Sequence, residues 1–188
     1  MSIHKLLTQT LFVLVLWSCV ATAQAKTWQV MQPAQSSIGF VSSQMGVDVP
    51  GKFSRFRVNI MFDSTAPQNS HAQVTVDTSS VSAGGMEVDA TLNSKDWFDT
   101  QHWPQAQFVS RSIRVLGGGR YEADGDLSIK GLTRKVSVLF QAKTTATGLV
   151  LDGDLPISRA AFAIGSGVWA NPSVVADVVK LHFHIVMQ

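Results

Sequence analysis

Val178-Val179-Lys180-Leu181-His182-Phe183-His184-Ile185-Val186-Met187 is the stretch whose reading decides the fold. Successive side chains of a β-strand point to opposite faces. Val179, Leu181, Phe183, Ile185 and Met187 therefore share one apolar face, and Lys180, His182 and His184 take the other. A half-buried strand has this pattern, and a helix does not.

Working back along the chain, the same alternation recurs. Leu149, Leu151, Leu155 and Ile157 form one strand, and Val136, Val138, Phe140 and Ala142 another. Two more, 106–115 and 120–129, flank Gly117-Gly118-Gly119, a plain hairpin loop. Val74 and Val76 alternate with polar residues, as do Phe56, Val58, Ile60 and Phe62 after a Pro50-Gly51 turn. With Ile38 and Phe40 this makes about eight strands joined by short turns, the signature of an antiparallel sandwich or barrel. Only the segment after Gly84-Gly85, from Met86 to Asp96, breaks the alternation, and a short helix fits it. Glu87 and Asp89 would sit in its first turn, where acidic side chains suit the helix dipole. Trp97, Phe98 and Trp103 follow, an aromatic group able to cap one end of a barrel or simply to seal the core.

Composition agrees with this reading. Of 188 residues 45% are apolar and 15% charged, which excludes a disordered chain. A formal charge of +2 gives no reason to expect a nucleic-acid partner. The acids are 11 Asp and 2 Glu, beside 14 Gly, a balance that favours turns over helices. A single cysteine excludes a disulfide framework.

Residues 1–25 read as a secretory signal peptide. His4 and Lys5 precede a mostly apolar stretch, 6–17, richest over 11–16, and Ala23-Gln24-Ala25 supplies small residues for cleavage after Ala25. The run is shorter than the roughly 20 residues needed to span a bilayer, and no later segment approaches that length. The expectation is a periplasmic domain over residues 26–188 with no integral membrane segment. Leu16-Trp17-Ser18-Cys19 partly resembles a lipidation site, but bulky Trp17 fits it poorly, so an anchor through Cys19 is the lesser alternative.

Candidate chemistry is sparse. His182 and His184 could supply two metal ligands from one face, but a third, His71 or His102, would have to converge on them. No metal or other cofactor is therefore expected. Asp124/Asp126 and Asp152/Asp154, the two halves of a faint Asp-Gly-Asp-Leu echo, read as solvated carboxylates rather than acid–base pairs. Gly165-Ser166-Gly167 is not the nucleophile elbow of a hydrolase. These features point away from an enzyme. The large apolar side chains point instead to an eight-stranded barrel, filled or holding one small ligand.

The chain resembles the YceI-like family of periplasmic polyisoprenoid-binding proteins over about residues 27–187. The resemblance rests on Ser37-Ile38-Gly39-Phe40 with Met45-Gly46, then Gly51, Phe53, Phe56, Ile60, Phe62 and Asp63. It continues through Leu92, Asp96-Trp97-Phe98-Asp99, Pro104, Ala106 and Phe108 to the hairpin Gly125-Asp126-Leu127-Ser128-Ile129-Lys130-Gly131-Leu132-Thr133-Arg134-Lys135-Val136. Arg159, Phe162, Ile164, Gly165, Asp177 and Val179 complete it. Departures are Thr91-Leu92 for a family His-Leu, Val58 for a glycine, and Phe162-Ala163 for Phe-Gly.

The resemblance implies an all-β, extended, antiparallel, lipocalin-like barrel of about eight strands with one short helix, non-catalytic and holding a long isoprenoid chain. The partner implied is an isoprenoid lipid or quinone-like amphiphile, with a homodimer left open. The apolar faces nominate Ile38, Phe40, Phe56, Ile60 and Val76 from the early strands, and Leu92 and Trp97 from the helix and its exit. The middle strands add Phe108, Leu127, Ile129, Val138 and Phe140. Leu151, Phe162, Ile164, Leu181, Phe183 and Ile185 complete the lining. Two other readings differ in class: an accessory protein with a filled barrel beside a membrane redox or envelope-stress system, and a small hydrolase.

Overall fold

The computed structural model describes residues 26–28, 31–145 and 148–188. The expected signal peptide, the expected cleavage site after Ala25 and Cys19 lie outside the described residues. Among the described residues, eleven antiparallel strands and one α-helix run in chain order. They are β1 (Lys26–Trp28), β2 (Ser37–Gln44), β3 (Val47–Phe53), β4 (Phe56–Phe62), β5 (His71–Asp77) and β6 (Val81–Ser82), then α1 (Met86–Asn93). After the helix come β7 (Gln105–Gly117), β8 (Arg120–Ile129), β9 (Leu132–Thr144), β10 (Leu149–Ser158) and β11 (Val178–Met187).

All strands belong to one sheet, ordered β1-β4-β5-β7-β8-β9-β10-β11-β2-β3-β6. Alternation buries one face of it: Tyr121, Ala123, Leu127 and Ile129 of β8 are buried beside half-buried or exposed neighbours. Each Leu, Ile or Phe taken out of water in this way contributes about 1.5–3 kcal/mol. β10 and β11 pair so that their apolar faces meet on one side of the sheet, with Leu151 opposite Ile185 and Leu155 opposite Leu181.

The expected closed barrel of eight strands is corrected on two points. The sheet has eleven strands, and it curls into an open half-barrel with β1 and β6 at its two ends and no ladder joining them. β3 and β4 follow each other in sequence without pairing. The bonds that would join them go elsewhere: Ser80 takes the amides of Ser54 and Arg55 on its carbonyl and hydroxyl oxygens, at 3.2 and 3.1 Å. The expected Pro50-Gly51 turn is also wrong, since both residues lie inside β3. Proline is tolerated there because β3 pairs with β6 only at Lys52 and Phe53, leaving an open edge beside Pro50. Of the three extra strands, β3 is hidden by this Pro-Gly pair, and β1 and β6, three and two residues long, are too short to show an alternation.

One end of the half-barrel is sealed. Trp28, Leu149 and Met187 are fully buried there, and Tyr121 stacks on Phe140 and meets Phe62 edge-on, with centroids 5.5 and 5.2 Å away. Beyond β1 the chain crosses to β11, where the Gln32 amide donates to Val186 at 2.9 Å. The other end carries α1 and the loops from 159 to 177. Trp103 does not join this end. It is exposed and lies outside, against the Lys130-Gly131 turn, where a side chain on Gly131 would meet its ring. Of the three expected capping aromatics, only Trp97 and Phe98 face the interior.

The turn Ala160–Phe162 ends on Ala163 with φ 51° and ψ 35°, the left-handed region. Here the family pattern has glycine, which adopts that conformation without a Cβ penalty. Ala163→Gly is expected to raise stability by about 0.5–1 kcal/mol, read from urea denaturation midpoints at an unchanged slope.

Candidate functional site

The interior is hollow. A cavity of about 260 Å³ lies under α1, and a second of about 150 Å³ lies deeper toward the sealed end. Ile38, Val76, Ala106, Leu127 and Leu181 line both, so the two adjoin as one apolar tunnel. Together they fall in the lower part of the roughly 300–1,000 Å³ typical of small-molecule sites.

The wide cavity is walled by Phe40 and Phe53, 5.7 Å apart, and by Phe98 meeting Phe53 edge-on at the same distance. Leu92 lines it from α1, together with Ile129, Ile164 and Trp97. Ile60, Phe108, Val138, Phe140, Leu151, Phe183 and Ile185 line the narrow one. Sixteen of the eighteen nominated residues therefore line the tunnel. Two do not. Phe162 is 2% exposed and packed within the core, because its turn folds it beneath the sheet instead of into the space. Phe56, at the start of β4, faces a cleft beside the tunnel. Alternation found the strand residues. It could not find Trp169 and Val175, which line the mouth from irregular loops, or Arg159 at a strand's end.

Room is made by glycine. Gly51, Gly125 and Gly153 face inward, and the rings of Phe40, Phe108 and Phe183 lie across them. A Cβ on any of the three would collide with the ring, and at Gly125 and Gly153 also with the backbone carbonyls of Val109 and Leu139. Both Asp-Gly-Asp-Leu segments thus hold a phenylalanine flat against the wall. Gly125→Ala should cost about 1–3 kcal/mol in urea denaturation, because the Val109 backbone cannot step aside as a ring could.

Among the described residues Arg159 is the one Lys or Arg lining the tunnel. It is 3% exposed, yet every guanidinium N–H is satisfied by a carbonyl. Nε donates to Ala176, Nη1 to Ile164 and Gly165, and Nη2 to Trp169 and Val175, over 2.7–3.1 Å. These five bonds fold the 159–176 loop around one side chain and so shape the mouth. Burial holds the guanidinium below its ordinary pKa, opposed by the nearby charge of Asp177. On the other flank, Lys130 donates to the carbonyls of Lys95 and Ala163, at 2.7 and 2.9 Å. Met45, Met86 and Val168, apolar side chains on the β2–β3 turn, α1 and the 167–169 turn, are 73, 90 and 83% exposed. Each is adjacent in sequence to, or one residue removed from, a lining residue: Gln44, Val88 and Trp169.

The polar candidates lie outside, as expected. Asp124 receives Arg114 at 3.0 Å and Asp126 receives Arg111 at 2.7 Å, all four at the surface. His184 pairs with Asp152 across β10 and β11, while the His182 ring lies over Gly39. His102 sits on Asp99 at 2.8 Å, away from both. Among the described residues no three of His, Cys, Asp and Glu are placed to share a metal ion.

Residues 28–187 match the YceI-like domain. A UPF0312 protein of Shewanella denitrificans is 34% identical over 116 residues, which cover 61% of this chain and 60% of that protein. Such alignments thus span about three fifths of these curated relatives. The crystal structure of BcnA from Burkholderia cenocepacia is 37% identical, with a TM-score of 0.82 over 85% of this chain and all of that one. A polyisoprenoid binding domain from Saccharophagus degradans, 15% identical, shares the fold with a TM-score of 0.66 over 88% of this chain and 99% of its own. A family match over nearly the whole described chain, on a fold shared at that level, means that this protein belongs to the YceI-like family.

Proposed function

We propose that the protein is a periplasmic, non-catalytic carrier or store for a polyisoprenoid or similar long-chain amphiphile, held in the tunnel. The observation that carries this reading is the tunnel itself: two adjoining apolar cavities, sealed at one end and open at the other. A chain of methylene and methyl groups gains roughly 0.8 kcal/mol for each CH₂ moved from water to such a wall, so no covalent or ionic anchor is needed. The Saccharophagus relative, described as binding polyisoprenoid, supports the same ligand class. The signal-peptide pattern of residues 1–25 supports export. No helix among the described residues is long and apolar enough to cross a membrane.

Organic extraction of protein purified from its own host, followed by mass spectrometry, tests the ligand class. The expected result is a near-stoichiometric lipid whose fragments step by isoprene units. Recovery of only mixed phospholipid at trace level would remove the isoprenoid reading.

A further inference from the structure

The seam between β3 and β4 is occupied by a cleft of about 710 Å³, larger than either cavity of the tunnel. Its polar wall carries Ser37, Lys52, Arg55, Arg57, Thr75 and Asp77. Arg55 is spent: it donates to Asp77 at 2.8 Å and to Ser79 at 2.9 Å. Lys52 on β3 and Arg57 on β4 are exposed, stand on opposite sides of the seam, and have no side-chain partner among the described residues. Three cations against one carboxylate leave the cleft positive by two.

Its inner wall is apolar and shared. Ile38 lines the cleft and both cavities, and Phe53 lines the cleft and the wide cavity. An amphiphile with its head at Lys52 and Arg57 would therefore place its tail against the two side chains that separate cleft from tunnel. Charges at an open sheet edge also discourage pairing with another chain. That role needs neither a cleft nor a wall continuous with a tunnel.

We infer that the seam is a second, lateral binding site for the anionic head of a single-chain amphiphile, a phosphate monoester by charge, whose tail passes Ile38 and Phe53 into the tunnel. The tail's destination rests on the proposed function, whereas the anion site does not. A doubly charged phosphate matches the surplus of two, and both side chains donate to phosphate oxygens, Arg57 in bidentate fashion.

The test compares dodecyl phosphate, dodecanol and inorganic phosphate by calorimetry, on the wild-type chain and on Lys52→Gln/Arg57→Gln. Both substitutions are at exposed positions, and circular dichroism verifies the fold. Wild type should bind dodecyl phosphate about tenfold more tightly than dodecanol at low salt, a ratio that shrinks at high salt. The double variant should bind both equally, at the wild-type dodecanol affinity. Equal binding by wild type, or a preference that survives in the double variant, would overturn the proposal. Failure of the tunnel reading looks different: dodecanol would not bind, while inorganic phosphate would still displace dodecyl phosphate from the wild type alone.

Discussion

Phe183→Asp should fold and yet lose its lipid, retaining no more than about a tenth of the wild-type load after purification. The ring of Phe183 lies flat over Gly153 at the wall of the narrow cavity, midway along β11. Replacing it puts a carboxylate where a hydrocarbon tail must pass. That carboxylate either stays ionised at a desolvation cost or takes up a proton, and both penalise the bound state more than the empty one, in which water can enter. Lys180→Asp, on the outer face of the same strand, is the matched control and should keep the full load. Lipid extraction from both variants, after circular dichroism, decides it. Retention by the Phe183 variant would place the ligand elsewhere than the deep cavity.

The largest expected effect on stability is at Arg159. Arg159→Met keeps the bulk and removes five hydrogen bonds, leaving the carbonyls of Ile164, Gly165, Trp169, Val175 and Ala176 without this donor. Each buried carbonyl left unpaired costs about 1–3 kcal/mol, reduced where water reaches it from the mouth. A total loss of about 3–5 kcal/mol in urea denaturation is expected, a large share of a typical domain's stability. Arg159→Lys should lose nearly as much, because an ammonium has three donors and no fork with which to span five acceptors. A lysine variant close to wild type would mean that charge, not geometry, holds the loop.

Much of this molecule was legible in the sequence because alternation is a strong signal in long strands. β8 runs from Arg120 to Ile129, as the alternation indicated, and the outward placement of His182 and His184 followed from the same parity. The rule failed where a strand is too short to alternate, as in Lys26–Trp28, or where proline and glycine imitate a turn, as at Pro50 and Gly51. Whether the sheet closes was beyond its reach, since closure depends on which neighbours take the bonds of Ser54 and Arg55. The site divides in the same way. Its strand-borne walls were found by parity, whereas Arg159, Trp169 and Val175 come to the mouth through a loop that no periodicity describes. Phe162 obeyed the apolar rule and still missed the cavity, because apolarity places a residue inside without telling a packed position from one beside a void.

The most direct test of the central claim is a crystal structure with a long-chain isoprenoid alcohol brominated at its tail end. The bromine is expected, by its anomalous signal, in the narrow cavity among Val138, Leu151 and Phe183, with the hydroxyl end toward Trp169 and Val175 at the mouth. Bromine found only on the outer surface, with the two cavities collapsed or occupied by side chains, would contradict it.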